Sequence, residues 1–279
     1  MTQVYLNGDF LSPEAARISP WDRGFLFGDG VYEVIPAYRG RPFFWEAHLD
    51  RLHRSLAAID LAVPAIPWQE IFSQLIGPAP RDCALYLQIT RGTYATRDHR
   101  FPEAVQPTVF AFTWDLKPPP KHGVAGITRE DFRWDRCDIK SIALLGNVLL
   151  RQSATEAQAH EALLFRKGWL TEGSSSNVFA VLGGKLCTPP ESHRLLSGIT
   201  RALVLQLAEQ AGLSHEEREI HRDELDEAEE IWITSSTREV LPLIQLDGKP
   251  VGSGQIGSWW RQMDQWFQQY KRDWLAAHD

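Results

Sequence analysis

Residues 117–123 read Lys-Pro-Pro-Pro-Lys-His-Gly, and this stretch divides the 279-residue chain. Consecutive prolines cannot donate the hydrogen bonds of a β-sheet, and they favour a stiff, extended backbone. We therefore predict an interdomain linker at 117–123, an N-terminal domain over 1–116 and a C-terminal domain over 124–279. Both predicted domains lie near the usual size of roughly 100–200 residues.

The N-terminal half alternates short apolar runs with turn residues and helical patterns. Asn7-Gly8 favours a tight hairpin turn after a first strand, and Arg39-Gly40 favours a second turn. The apolar spacing predicts strands at about 4–6, 31–38, 83–90 and 108–114, and helices at about 45–61 and 68–76. Pro36 predicts an edge position or a bulge in the second of these strands.

The C-terminal half has the same mixture of elements. The pattern predicts strands at about 124–128, 162–166, 177–181, 185–188, 230–234 and 239–246, helices at about 144–160 and 198–210, and a final tryptophan-rich helix that packs against the domain. Strands and helices mixed in this way predict an α/β (α+β) protein of two domains.

Composition excludes several classes of protein. Hydrophobic residues make up 43% and charged residues 23%, the formal net charge is −7, and no basic block is present. These values predict a globular chain with no nucleic-acid partner. No long apolar run or signal-peptide pattern is present, which predicts no membrane association. Three cysteines without CxxC spacing predict a reduced, cytoplasmic protein.

No metal site is predicted. His48 and His53 lack the i,i+4 spacing that would place two ligands on one helix face, so we interpret both as surface histidines of the first long helix.

Lys140 stands out as a candidate nucleophile because it directly precedes an apolar run at 142–145. Burial near other cations favours the neutral amine, which is nucleophilic. From the spacing alone, a lysine at the end of an element that extends its amine to solvent is the more common alternative.

Three further segments could contact a ligand. Thr171-Glu172 leads into a loop of small residues, 173–176, that would let backbone approach a ligand closely, although a plain surface loop has the same composition. Residues 197–201 open a helix whose free N–H groups suit a phosphate, or form an ordinary cap. Hydroxyls at 234–237 and the guanidinium of Arg51 could add donors. A lysine, a carboxylate and a phosphate cup are together the functions that pyridoxal phosphate requires.

Five blocks of the sequence resemble the fold-type IV pyridoxal-phosphate enzymes, most closely the D-amino-acid aminotransferases. In chain order they are RGFLFGDGVYEV, RWDRCDIKSIALLGN, TEGSSSNVF, LLSGITR and ITSSTRE, running from Arg23 to Glu239. The resemblance implies that Lys140 is the catalytic Schiff-base lysine and that Glu172 is the partner of the pyridine nitrogen. It also implies a ring contact and phosphate contacts, at Leu196, Arg51, Ile199 (through its backbone), Thr200 and Ser236.

The resemblance further implies a homodimer whose active site lies between the two domains, near the subunit interface. The substrate carboxylate would be bound by Tyr32 and by Arg97 and His99, the last two on a loop that reaches over from the neighbouring subunit. The segment between Gly92 and Arg97 is one residue longer than in the family pattern. A basic, solvent-exposed loop is the alternative interpretation of this stretch.

The implied activity is transamination between D-amino acids of the D-alanine type and a 2-oxo acid such as 2-oxoglutarate or pyruvate. Branched-chain L-amino-acid aminotransferases, (R)-amine transaminases and aminodeoxychorismate lyases share the fold and are alternatives. A non-catalytic pyridoxal-phosphate carrier or a structural dimer would belong to a different class. The presence of Lys140, Glu172 and Arg51 together favours an enzyme.

Overall fold

The computed structural model describes residues 3–79, 81–104, 106–120 and 122–278. Backbone contacts divide the chain into unit 1, Met1–Lys117 with Ile139–Leu144, and unit 2, Pro118–Asp138 with Leu145–Asp279. Lys121 of the predicted linker and the end residues 1, 2 and 279 of the predicted domains lie outside the described residues.

Lys140 belongs to unit 1, whereas the predicted C-terminal domain, residues 124–279, includes it. The reason is backbone pairing: Ser141 forms an isolated antiparallel bridge with Val31, and the Ile142 N–H donates to the Gly30 carbonyl at 3.1 Å. Ile139 is also buried in the hydrophobic core of this unit. A short segment therefore returns to the first unit after the chain has entered the second.

Within its described residues, unit 1 is an antiparallel sheet of six strands with helices packed on it. The elements are β1 (Val4–Leu6), β2 (Asp9–Leu11), α1 (Arg23–Phe27), β3 (Gly30–Tyr38), β4 (Arg41–Pro42), α2 (Trp45–Ala58), α3 (Trp68–Ile76), β5 (Cys83–Thr90) and β6 (Thr108–Asp115). The strand order is β2-β1-β6-β5-β3-β4. Pro36 of β3 lies opposite Ala84, and its carbonyl accepts from the Phe43 N–H, away from β5, so no ladder hydrogen bond is lost.

Helix α2 packs on this sheet through one face. Leu52 and Leu56, one turn apart, are fully buried in the core together with Val31 and Ile35 of β3. Burying side chains of this size contributes about 1.5–3 kcal/mol each, so α2 is held firmly against the strand. The helix ends at Ala58, earlier than the predicted residue 61, and Asp60 has a positive φ of 50° that a helix does not allow.

Unit 2 is built on a mixed sheet of nine strands among the residues that the structure describes. Its elements are β7 (Val124–Glu130), α4 (Leu145–Glu156), β8 (Glu161–Arg166), β9 (Trp169–Gly173), β10 (Asn177–Leu182), β11 (Lys185–Thr188), α5 (Ile199–Gln210), β12 (His215–Glu217), a 3₁₀ helix (Arg222–Glu227), β13 (Glu230–Ser235), β14 (Glu239–Leu246), β15 (Lys249–Pro250) and α6 (Ser258–Ala277). The order is β12-β11-β10-β13-β14-β7-β8-β9, with β15 on β14.

The tryptophan-rich helix α6 packs through Met263 and Phe267, which lie one turn apart and are buried. None of the described helices has the length and apolar character needed to span a membrane.

Candidate active site

Lys140 is fixed in unit 1 by its backbone. Its carbonyl oxygen accepts a hydrogen bond from the Tyr32 N–H at 3.0 Å, and its own N–H donates to Ser55 Oγ at 3.2 Å. Its Nζ lies 4.4 Å from the centroid of the Tyr32 ring. Lys140, the predicted Schiff-base lysine, and Tyr32, a predicted ligand of the substrate carboxylate, are therefore neighbours.

Arg51 of α2 belongs to a buried charge cluster that also contains Glu33 and His48. Arg51 Nε donates to Glu33 Oε1 at 2.7 Å, and Nη2 donates to Oε2 at 2.9 Å. His48 Nδ1 lies 2.9 Å from the same Oε2. The two-point contact fixes the plane of the guanidinium, which suits it to bind an oxyanion.

His48 is buried, so its interpretation as a surface histidine is wrong, whereas His53 of the same helix is exposed. The reason is the carboxylate of Glu33, which offers His48 a partner inside the unit. Burial lowers the pKa of His48 below its usual value of 6.5. Burial alone would raise the pKa of Glu33, but Arg51 and His48 hold that pKa far below its usual range.

Arg97 and His99 lie together in the loop between β5 and β6, and both are exposed. The Arg97 guanidinium carbon lies 5.0 Å from the centroid of the Phe27 ring, and the His99 ring centroid lies 5.2 Å from the same ring. In the described part of the chain, neither side chain has a hydrogen bond or ring contact with Tyr32. The structure therefore brings Arg97 to His99 but does not bring the pair to Tyr32.

Glu172 of unit 2 is buried and is held by three donors. Its Oε1 accepts from Arg133 Nη1 at 2.7 Å, and its Oε2 accepts from the Leu196 N–H at 3.0 Å and from Asn177 Nδ2 at 3.3 Å. Burial raises the pKa of Glu172, and Arg133 opposes that shift. Gly173, which was predicted to open the loop, is instead the last residue of β9, because it pairs with Leu163 of β8.

Asn177 connects Glu172 to the start of α5. Its Nδ2 also donates to the Leu196 carbonyl at 2.9 Å. A Cβ on Gly198 would lie 1.9 Å from Asn177 Oδ1, so only glycine allows this close approach. The structure thus brings Glu172, Leu196 and the residues that open α5 together.

The first turn of α5 begins with Ile199 and Thr200, and its cap residue Gly198 supplies no side-chain hydrogen bond. Free backbone N–H groups at the start of a helix can donate hydrogen bonds to an anion. Thr200 is buried at this end of the helix.

Thr234 and Ser236 lie at the end of β13 and in the turn after it. Thr234 is paired with Asn177 across the sheet, and its buried Oγ1 has no hydrogen-bond partner among the described residues. A buried hydroxyl of this kind is available to bind a ligand or a water molecule. Ser236 is half-buried and forms no described hydrogen bond to Glu172 or to α5.

The chain belongs to the class IV aminotransferase family, whose profile matches residues 30–246. A D-alanine aminotransferase from Bacillus licheniformis is 43% identical over 261 residues, covering 91% of this chain and 92% of that protein. A branched-chain aminotransferase structure from Thermoproteus uzoniensis, with norvaline, is 25% identical with a TM-score of 0.84, covering 97% and 94%. A PLP-bound hypothetical aminotransferase from Mycobacterium tuberculosis, 22% identical with a TM-score of 0.82, covers 95% and 96% and shares the fold.

Proposed function

We propose that this protein is a pyridoxal-phosphate-dependent aminotransferase that transfers the amino group of D-amino acids, D-alanine among them, to a 2-oxo acid such as 2-oxoglutarate or pyruvate. The main support for this substrate class is the 43% sequence identity to a D-alanine aminotransferase over 91% of the chain. Amino acids and 2-oxo acids are thus the small-molecule partners.

The residues of unit 2 fit the cofactor. A buried carboxylate held in place by Arg133, Asn177 and the Leu196 N–H suits a ring nitrogen that must stay protonated, and the uncapped start of α5 suits a phosphate. The buried Thr234 hydroxyl without a partner supports the same interpretation. Glu172 would hold the ring-nitrogen proton, Leu196 would pack against the ring, and the phosphate would contact Arg51, the Ile199 N–H, Thr200 and Ser236.

Lys140 is the proposed catalytic residue. When bound, the cofactor supplies an electron sink for the charge left on the substrate carbon after its proton departs. Lys140 would bind the cofactor covalently between turnovers, and during turnover its Nζ would take the proton from the substrate Cα. The Tyr32 ring, whose centroid lies 4.4 Å from Nζ, would limit the directions from which that amine can approach the substrate.

The substrate carboxylate would be bound by Tyr32 with Arg97 and His99. A guanidinium, an imidazole and a phenol can together form several charge-assisted hydrogen bonds to one carboxylate. Because Arg97 and His99 are exposed and do not contact Tyr32, we propose that they serve the active site of a neighbouring subunit.

A homodimer is supported by exposed apolar side chains on α4. Leu145, Val148 and Leu149 have the i, i+3, i+4 spacing of one helix face, and they are 72%, 57% and 52% exposed. A contiguous apolar face of this kind is typical of a protein interface. A second copy of this chain is the partner that we propose for it.

A cytoplasmic location is supported by the cysteines. All three are free and buried, and burial raises the pKa of Cys137 to about 12, which makes it an unreactive thiol.

Branched-chain L-amino-acid transamination is the second candidate, favoured by the Thermoproteus uzoniensis structure with its TM-score of 0.84. A coupled assay separates the two: D-alanine or L-leucine is supplied with 2-oxoglutarate, and the glutamate formed is measured. We expect turnover with D-alanine and none with Lys140→Ala, while Lys249→Ala, at an exposed lysine, behaves as the parent. Turnover by Lys140→Ala at the parent rate would reject the assignment of the catalytic lysine.

A further inference from the structure

We propose that Arg23 is a positioning residue that fixes the backbone of the Arg97–His99 loop so that both side chains can bind the substrate carboxylate. This inference rests on the proposed function of Arg97 and His99. It concerns a residue that does not itself touch the substrate.

Arg23 binds the loop through its main chain. The Arg23 side chain is only 4% exposed, at the first position of α1. Its Nη1 donates to the Asp98 carbonyl at 2.6 Å and to the Arg100 carbonyl at 3.4 Å, and its Nη2 donates to the His99 carbonyl at 3.4 Å. One buried guanidinium thus contacts three consecutive carbonyls in a loop whose side chains face solvent.

The guanidinium is itself held by Asp29. Arg23 Nε donates to Asp29 Oδ2 at 2.8 Å, and Arg91 Nε donates to the same oxygen at 2.9 Å. Arg91 also donates to the carbonyls of Ile59 and Asp60, at 2.6 and 3.1 Å. Asp29 therefore ties the anchor of the loop to the end of α2, and the position of Arg23 is determined by the body of unit 1.

Phe27 completes the arrangement as an aromatic platform. The guanidinium carbons of Arg23 and Arg97 lie 4.9 and 5.0 Å from its ring centroid, and the His99 ring lies 5.2 Å away. A guanidinium over an aromatic ring is attracted by the negative charge of the ring face. The platform therefore holds the two carboxylate-binding side chains side by side at the end of α1.

Helix α1 has only five residues, too few to be stable alone, and Asp22 fixes it. Asp22 Oδ1 accepts from the Gly24 N–H at 2.8 Å as an N-cap. Its Oδ2 accepts from Thr90 Oγ1 at 3.1 Å and from Thr108 Oγ1 at 2.6 Å, on the two strands that flank the loop. The base of the loop and the platform are thus joined at one carboxylate.

Without the anchor, the loop must lose conformational freedom when the substrate binds, which weakens binding. We expect Arg23→Met to raise the KM for D-alanine by roughly tenfold to a hundredfold, the scale of hydrogen bonds from a charged group. The kcat should stay within about threefold, because Lys140 and Glu172 are untouched. Arg23→Lys should recover part of the loss, since it keeps the charge but not the fork.

The matched control is Arg81→Met. Arg81 also lies in unit 1 and donates to backbone carbonyls, those of Leu75 and Ile76, and to Thr113 Oγ1 at 2.7 Å. Each variant removes a guanidinium that donates to backbone carbonyls, so the melting temperature of each is measured. Only Arg23→Met should raise the KM for D-alanine. D-Alaninamide lacks the negative charge of the carboxylate. The rate of its reaction should therefore change in neither variant by more than the loss of stability explains.

Arg97→Ala distinguishes failure of this inference from failure of the proposed function. If Arg97→Ala raises the KM for D-alanine and Arg23→Met does not, or if Arg23→Met lowers kcat alone, the positioning role is overturned. If Arg97→Ala leaves the KM unchanged, the assignment of the carboxylate-binding loop fails, and the inference fails with it.

Discussion

Arg133 donates a hydrogen bond to Glu172 across 2.7 Å, and both side chains are almost wholly enclosed in unit 2. Arg133 is in turn fixed by Asp131, to which its Nε and Nη2 donate at 3.0 Å. Burial alone would lower the pKa of Arg133, but the carboxylates of Glu172 and Asp131 raise it, so the guanidinium stays charged. The orientation of the Glu172 carboxyl is therefore determined before any ligand binds.

Replacing Glu172 by glutamine removes the group that would hold the ring-nitrogen proton. We expect kcat to fall by roughly a hundredfold or more, the scale of a positioned acid–base group. Cofactor retention should change little, because the lysine and phosphate contacts remain. Steady-state rates and cofactor content of the purified variant are the measurements. Asp247→Asn, which alters contacts to Thr128 in the same unit, serves as the control and should keep the parent rate. An unchanged kcat in Glu172→Gln would reject the role.

His48 should make unit 1 sensitive to mild acid. Its folded pKa is lowered by burial, so below about pH 6.5 the unfolded chain binds a proton that the folded chain does not. This contribution to stability is present above that pH and is lost as the pH falls toward the folded pKa. Glu33, whose pKa is also lowered, adds a further loss below its usual value of 4.5.

His48→Gln tests this linkage because it keeps a donor for Glu33 and removes the titration. We expect the melting temperature of the variant to depend less on pH than that of the parent between about pH 7.5 and about pH 5.5. His53→Gln, at an exposed position of α2, should keep the slope of the parent. Equal slopes for the parent and both variants would contradict the linkage.

The exposed face of α4 should form the dimer contact. A charge at Leu145 would be buried without a partner in the interface, so we expect Leu145→Glu to weaken the dimer by roughly tenfold or more. Val63→Glu, at another exposed apolar residue, should leave assembly unchanged. Molar mass by light scattering over a concentration series is the measurement. A parent protein that is monomeric at all concentrations would contradict the proposed dimer.

The spacing of apolar residues and the position of turn residues predicted most of the helices and strands, because these local features largely determine where such elements begin and end. The strand 83–90 and the helix 68–76 have the predicted bounds. Helix α1 was missed, since five residues have no period to detect, and it depends on the cap by Asp22. The strand β9 was missed because its pairing partner, β8, decides its conformation.

The buried charges were the part of the site that sequence reasoning missed. Glu33 alternates with Val31 and Ile35 on one face of β3, and this spacing is a signal that its side chain points inward. Its partners His48 and Arg51 lie on α2, and their contact with Glu33 follows from the packing of that helix on the sheet rather than from local spacing. Arg133 likewise acquires its role from the distant residue Glu172, a contact that no local spacing indicates.

A single-turnover experiment separates transamination of D-amino acids from transamination of L-amino acids. The yellow, cofactor-loaded protein is mixed separately with D-alanine and with L-leucine, without a 2-oxo acid, and the visible absorbance of the cofactor is followed. We expect rapid loss of that absorbance with D-alanine and little change with L-leucine. Rapid loss with L-leucine alone would contradict the proposed function, since the chain would then be an aminotransferase for L-amino acids.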